Sequence, residues 1–372
     1  VDSKKSVSER IAYYEQRRND ILSGKIKPIP FFGLPRLTKY IPGIIPGMLY
    51  KVISGSGTGK TNFSKYAFVF QPIFYAIKYN INFQVIYFAL EESEQEFIDG
   101  LFIHILKRVH GVTIDLFSLS GMTTTPVSED VLKAIKKAEK EVALIMSYIK
   151  IVDNCYTPDA IYNKCRSLAK TYGKFIENTI TKEEEYVPND LSQVVLVVCD
   201  HISLIEEQYD KDTDSFLSHH KSISKWHTKY ARKIVSKQWK WTVLNIQQLA
   251  LEAEKQQYTT KGDSILSKIM PTLEGVADNK TVVRDDQVVI GLFAPERFGL
   301  ETFRGFDISN HTPESFGDKF RSIKILKSRF GTPNVESPLF FDGSYNYWEE
   351  LPLPTDPDFK IKMDKFYKLL KK

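Results

Sequence analysis

The sequence predicts an α/β fold: a mainly parallel, twisted sheet flanked by helices, with late strands adding hairpins at one edge. Three observations predict it. Short, continuously apolar runs such as VVLVVCD (194–200) alternate with longer stretches of helical periodicity, as strands covered on both faces require. One such run, MLYKVIS (48–54), enters a glycine-rich loop that leads directly into a helical stretch. Towards the end, several strand-like runs follow one another with little helical sequence between them, which is the pattern of hairpins.

Residues 6–24 read as a helix, with Ser6 or Ser8 as cap and Gly24 as stop. Ile11, Tyr14, Ile21 and Leu22 form a rough apolar stripe that must cover something. The next 23 residues, 25–47, hold five prolines and three glycines, so an irregular linker hugging a surface is expected. Strands then fall at 48–54 and 83–90, with a helix at about 60–79 between them and a helical stretch to about 110 after them. Residues 127–148 form a helix, IKIVD (149–153) a strand, and 157–172 another helix. An acidic loop at 179–193 precedes the strand 194–200. Residues 213–238 read as one long polar helix carrying Phe216, Ile223, Trp226, Tyr230 and Ile234 on one side. The later strands are 241–246, 287–294, 321–328 and 337–343. The chain therefore divides into a leading helix (1–27), a Pro/Gly linker (28–47), one large domain (48–353) and a basic, amphipathic tail (354–372).

Composition sets outer limits. With 372 residues and 42% hydrophobic content, the chain can bury a full core. Charge or Gly/Pro interrupts the apolar runs well short of the about 20 residues a membrane helix needs, so no membrane association is expected. Cys155, Cys165 and Cys199 lack metal-ligand spacing, and unpaired thiols without a secretory leader fit a cytoplasmic protein. A net charge of +5 permits an anionic partner without demanding one.

The chemistry begins at VISGSGTGKT. Between strand and helix, such a loop presents successive backbone N–H groups and a helix N-terminus to phosphate oxygens. Ser54, Gly55, Ser56, Gly57, Thr58, Gly59, Lys60, Thr61 and Asn62 are the expected nucleotide contacts. Lys60 would reach the β- and γ-phosphates, and the Thr61 hydroxyl would hold Mg²⁺. The departure is Ser54, where the G-x-x-x-x-G-K-[ST] pattern has glycine. Asp200, at the tip of a buried strand, is the expected partner of the metal's water shell. Glu91 and Glu92 end the strand after the loop helix. Glu91 is the expected base for the attacking water, because Glu92 suits the first turn of the following helix. The strand 241–246 runs into Gln247 and Gln248, amides placed to sense the γ-phosphate.

Together these residues resemble the hexameric replicative helicases of the DnaB family, most closely the phage helicase-primase and Twinkle branch. The resemblance spans about residues 30–350 and lies in motif order: the 32–47 linker, FALEES with Glu91, VVCDHISLI with Asp200, NIQQLAL with Gln248, and KSRFG before FFDG. It implies a RecA-like ATPase that binds ATP and Mg²⁺ and forms a homo-hexameric ring. It also implies Lys327 and Arg329 as trans-acting fingers, single-stranded and forked DNA as substrates, and a primase or polymerase as a companion. A bacterial or phage-infected cell is the implied setting. The segment TLEGVADNK (272–280) departs from the family's DNA loop. Lys255, Lys261, Lys268 and Lys280 in that region are candidate DNA contacts, and a solvated loop explains them equally well. On the residues alone, a RecA-type recombinase or other filament-forming ATPase remains open, as does a signalling ATPase acting on proteins.

Overall fold

The structure, a computed structural model, describes residues 3–23, 28–124, 126–177, 179, 182, 184–211, 213–250, 266–276, 282–331 and 333–370. Among these, nine strands form the main sheet: β1 (Leu49–Ser54), β2 (Phe83–Ala89), β3 (Ile149–Val152), β4 (Val194–Asp200), β5 (Thr242–Gln248), β6 (Val288–Phe293), β7 (Phe320–Ser328), β8 (Glu336–Asp342) and β9 (Tyr347–Glu350). Their spatial order is β9-β8-β7-β6-β1-β5-β4-β2-β3. The six from β6 to β3 run parallel, and β7, β8 and β9 add antiparallel hairpins at one edge. The hairpin edge expected from the late strands is where the sequence puts it.

Alternation along each strand sorts the side chains onto two cores. Tyr50, Val52, Tyr87, Leu196, Val198, Leu244 and Ile246 face the layer that includes Phe63 and Phe68 of the loop helix. Leu49, Ile86, Phe88, Val195, Val197 and Val243 face Ile161 and Trp226 on the opposite side. The loop helix is continuous through Lys60–Ser64, Lys65–Phe70 and Gln71–Tyr79, widened in the middle to π geometry, and Asn80 ends it in the left-handed region.

Several elements differ from the expectation. The helix expected at 213–238 begins at His219, because Tyr209–Asp210 and Ser215–Phe216 pair as a small hairpin just before it. Part of the expected acidic loop is the second strand of a hairpin, Glu184–Pro188 pairing with Gly173–Glu177. The linker is not superficial: Ile29, Phe31, Leu34, Leu37, Ile41 and Ile44 are buried in the main core. The basic tail contains the helix Phe359–Leu370, which packs Met363 and Phe366 against a separate core with Phe306, Phe316 and Phe340. By contrast, Ile11, Tyr14, Ile21 and Leu22 of the helix Ser3–Leu22 are exposed. No described helix is long and apolar enough to cross a membrane.

Candidate active site

β1 ends at Ser54, and the loop 55–59 leads into the helix at Lys60. Gly57 and Gly59 have φ of +63° and +97°, a region that L side chains rarely adopt. A Cβ on Gly57 would also collide with the Arg297 guanidinium, and one on Gly59 would lie 3.2 Å from the Phe341 ring. Ser54 needs no such freedom. As the last residue of the strand it has no left-handed φ, and its hydroxyl donates to the Gly55 carbonyl at 2.9 Å. The departure from glycine there is conformationally harmless.

Thr61 and Asp200 meet. The Thr61 hydroxyl donates to one Asp200 carboxylate oxygen at 3.1 Å, and the Tyr87 hydroxyl donates to the other at 2.6 Å. Asp200 is 2% exposed, and burial raises its carboxyl above the usual carboxylate value. The hydrogen bonds of Tyr87 and Thr61 and the charge of Lys65 pull the other way. Such a pair of hard oxygen donors fits Mg²⁺, which keeps several waters and takes few protein ligands. Among the described residues, no group of three or more His, Cys, Asp or Glu could hold a metal ion. The metal's carboxylate is expected on a strand neighbouring that of the phosphate loop, but Asp200 is not on a strand adjacent to β1, because β5 lies between β1 and β4.

Strand alternation explains which residues share this corner. Ser54, Asp200 and Gln248 carry the parity of the core that includes the loop helix. Gln247 has the other parity. It is buried, and its carbonyl oxygen accepts from Lys51 at 2.9 Å. Gln248, level with Ser54 in the β1–β5 register, stands beside the loop.

At the tip of β2, the two glutamates separate. Glu92 turns inward and pairs with Lys65 of the loop helix, and burial raises its carboxyl. The Glu91 side chain is 54% exposed, with its carboxylate 3.8 Å from His201. Lys327 and Arg329 are far from all of this. β7 is antiparallel to β6, so Ser328 pairs with Val288 at the opposite end of the sheet from the loop. The Lys327 ammonium donates to the carbonyls of Val283 and Arg284 at 3.0 and 2.7 Å. Arg329 is exposed. Lys255, Lys261, Lys280 and the Lys268 side chain lie outside the described residues, while the Lys268 backbone falls in the short helix Leu266–Ile269.

Two arginines that the motifs did not single out hold the loop from outside. Arg297 donates to the Ser56 carbonyl, and buried Arg321 donates to the Thr58 carbonyl at 2.8 Å. Both come from residues more than 200 positions away, so no local pattern marks them.

A parallel core with the phosphate loop on β1, carboxylates at the tips of β2 and β4 and an amide at the tip of β5 defines a RecA-like P-loop ATPase fold. Among solved structures, the chain is similar to the ATPase domain of a helicase, with a TM-score of 0.65 at 18% identity over 93% of this chain and 98% of that one. It is also similar to a DnaB-like replicative helicase described with its primase interactions, with a TM-score of 0.61 at 18% identity over 93% of this chain and 70% of that one. No protein-family model and no curated protein matches the sequence. The chain has the fold of the ATPase domain of DnaB-type helicases.

Proposed function

We propose that the chain is an ATP-driven ring motor that translocates on single-stranded DNA and unwinds forked duplex. One observation carries the reading: the loop, Thr61, Asp200, Glu91 and Gln248 gather at one end of the sheet, while Arg329 is exposed at the other. A site that needs the arginine is completed by a second copy of the chain, and the ring that such contacts close is taken as the homo-hexamer that the resemblance implies.

In this reading ATP seats its phosphates on the loop 54–62, where Lys60 offsets the γ-phosphate charge. Thr61 and Asp200 would hold Mg²⁺, which supplies further positive charge towards the phosphates. Glu91 accepts the proton of the attacking water. Arg329 of the adjacent copy faces the phosphate on which charge develops, with Lys327 turning from its own carbonyls to join it. Gln248 registers loss of the γ-phosphate. The backbone leaving β5 carries that signal outward, since Ala250 N–H donates to the Gly275 carbonyl at 2.9 Å and Leu249 bridges to Val276. Both ends of the 250–276 segment are thereby tied to the amide strand, which is why Lys255, Lys261 and Lys268 within it, with Lys280 just beyond it, remain the proposed DNA contacts. A primase or polymerase is the proposed companion, in a bacterial or phage-infected cell.

Electron micrographs with a non-hydrolysable ATP analogue, together with ATPase assays with and without single-stranded DNA, test the reading. Closed rings and DNA-stimulated turnover support it. Open filaments would favour a recombinase, and turnover indifferent to DNA would favour an ATPase acting on proteins.

A further inference from the structure

We infer that Lys65 is a positioning residue for hydrolysis: its ion pair with Glu92 turns one of two adjacent carboxylates inward and so presents Glu91 to the phosphate site. The inference rests on the ATPase reading above.

Lys65 lies five residues beyond Lys60 on the same helix. Its side chain is 7% exposed, its ammonium is 4.7 Å from the Phe97 ring centroid, and its partner is Glu92. The segment carrying the two glutamates is held at two further points. Leu90 is buried, and its N–H donates to the Asp200 carbonyl at 2.8 Å. Ser93 caps the next helix through a reciprocal capping box with Glu96. Between these anchors the chain bends through residues 90–92, and with Glu92 held inward on Lys65 the Glu91 side chain stands outward. Glu91 is the more exposed of the two, 54% against 19%.

The electrostatics make this arrangement dependent on Lys65. The second Glu92 oxygen is buried without a hydrogen-bond partner among the described residues. Burial raises the Glu92 carboxyl, and the charge and hydrogen bond of Lys65 are the leading opposing influences. A buried carboxylate deprived of its cation is strongly disfavoured. Glu92 would then turn to water, and the backbone between Leu90 and Ser93 would rotate with it, taking Glu91 away from its place. Displacements of about 1 Å at a reacting group can cost on the order of 100-fold in rate. The device also joins the base to the helix whose N-terminus faces the phosphates, so the two move as one body.

The test uses the full chain with Lys65→Met, Lys65→Arg, Glu91→Gln and the double variant Lys65→Met/Glu92→Gln. Steady-state kcat and KM for ATP are measured, with binding of a fluorescent nucleotide and thermal melting as controls. Lys65→Met should lower kcat by roughly 10- to 100-fold while leaving KM within about threefold. Lys65→Arg should recover most of the loss. The double variant should exceed Lys65→Met by about tenfold, because the uncompensated buried charge is gone. Wild-type kcat in Lys65→Met overturns the inference, as does a double variant no faster than Lys65→Met. Should Lys65→Met not fold, the double variant decides: turnover above about a tenth of wild type supports positioning, and folded protein below about a hundredth overturns it. Absence of ATP hydrolysis by the wild type would instead sink the ATPase reading. Hydrolysis lost in Glu91→Gln but intact in Lys65→Met would sink this inference alone.

Discussion

Replacing Arg329 by Ala should leave ATP binding intact and remove hydrolysis, and the defect should be rescued by a partner subunit. The register of the sheet gives the reason. Ser54 stands level with Leu292, which pairs with Ile323, and Arg329 lies six positions beyond Ile323, just past the end of β7. At about 3.3 Å per residue, Arg329 lies about 20 Å from the start of its own phosphate loop, beyond the reach of any side chain. Its backbone N–H donates to the Gln287 carbonyl at the base of β6, which anchors it at that end. If it acts on a nucleotide, it acts on a neighbour's, and such a cation contributes about 10³–10⁵ in rate. Lys60→Ala has the complementary lesion, a dead loop with a working finger. In rings co-assembled at equal ratio, an Arg329→Ala loop meets a Lys60→Ala finger at about one interface in four, so up to about a quarter of wild-type turnover should return. The assay is steady-state ATPase on co-expressed, doubly tagged mixed rings. No rescue in rings verified to contain both subunits would refute the trans assignment and leave the phosphate loop untouched.

Glu91→Gln should bind ATP but turn it over about 10²–10⁴-fold more slowly, measured by single-turnover hydrolysis; the same phenotype in Glu92→Gln, with Glu91→Gln unaffected, would move the base by one residue. Deleting residues 1–27 should shift rings towards monomers by light scattering, because the exposed stripe of Ile11, Tyr14 and Ile21 needs a surface beyond its own chain; rings of unchanged assembly state would assign the helix to its own subunit. Asp286 is fully buried with Lys51 and His227 each 3.4 Å away and Asp285 and Lys327 nearby, and burial pushes its carboxyl up to about 7. Against an unfolded value of about 3.9, the folded state holds the extra proton between about pH 4 and 7, so this group's contribution to stability falls as pH rises through that window. Asp286→Asn should therefore flatten the fall in Tm across it, and an unchanged slope would exclude Asp286 as the cause.

Much of this site was legible because strand ends carry their own signal. Asp200 closes an apolar run, Gln248 follows another, and Gly57 and Gly59 mark a loop whose backbone only glycine accepts readily. The periodicities were strong enough to place the helices 60–79 and 157–172 almost to the residue. What failed was whatever depends on contacts distant in sequence. The linker's prolines suggested an irregular surface path, yet its apolar residues fill the core, and Glu350 accepts from the N–H groups of Arg36 and Leu37. Arg297 reaches the loop from the turn after β6 and Arg321 from β7, both distant in sequence from the residues they hold. The residues 213–218 have a polar pattern that a helix and a short hairpin share, and only the pairing of Tyr209 with Phe216 decides between them. Lys51 is a lysine inside an apolar strand, and nothing local in sequence announces that Asp286 and Gln247 await it.

Strand separation on a forked duplex with a single-stranded tail, followed by fluorescence as ATP is added, tests the central claim most directly. The wild-type chain should unwind the fork only with ATP and Mg²⁺, and Lys60→Ala should bind DNA yet leave the duplex intact. Unwinding that persists in Lys60→Ala, or ATP hydrolysis by the wild type with no strand separation on any fork, would contradict the assignment of this fold to a DNA motor.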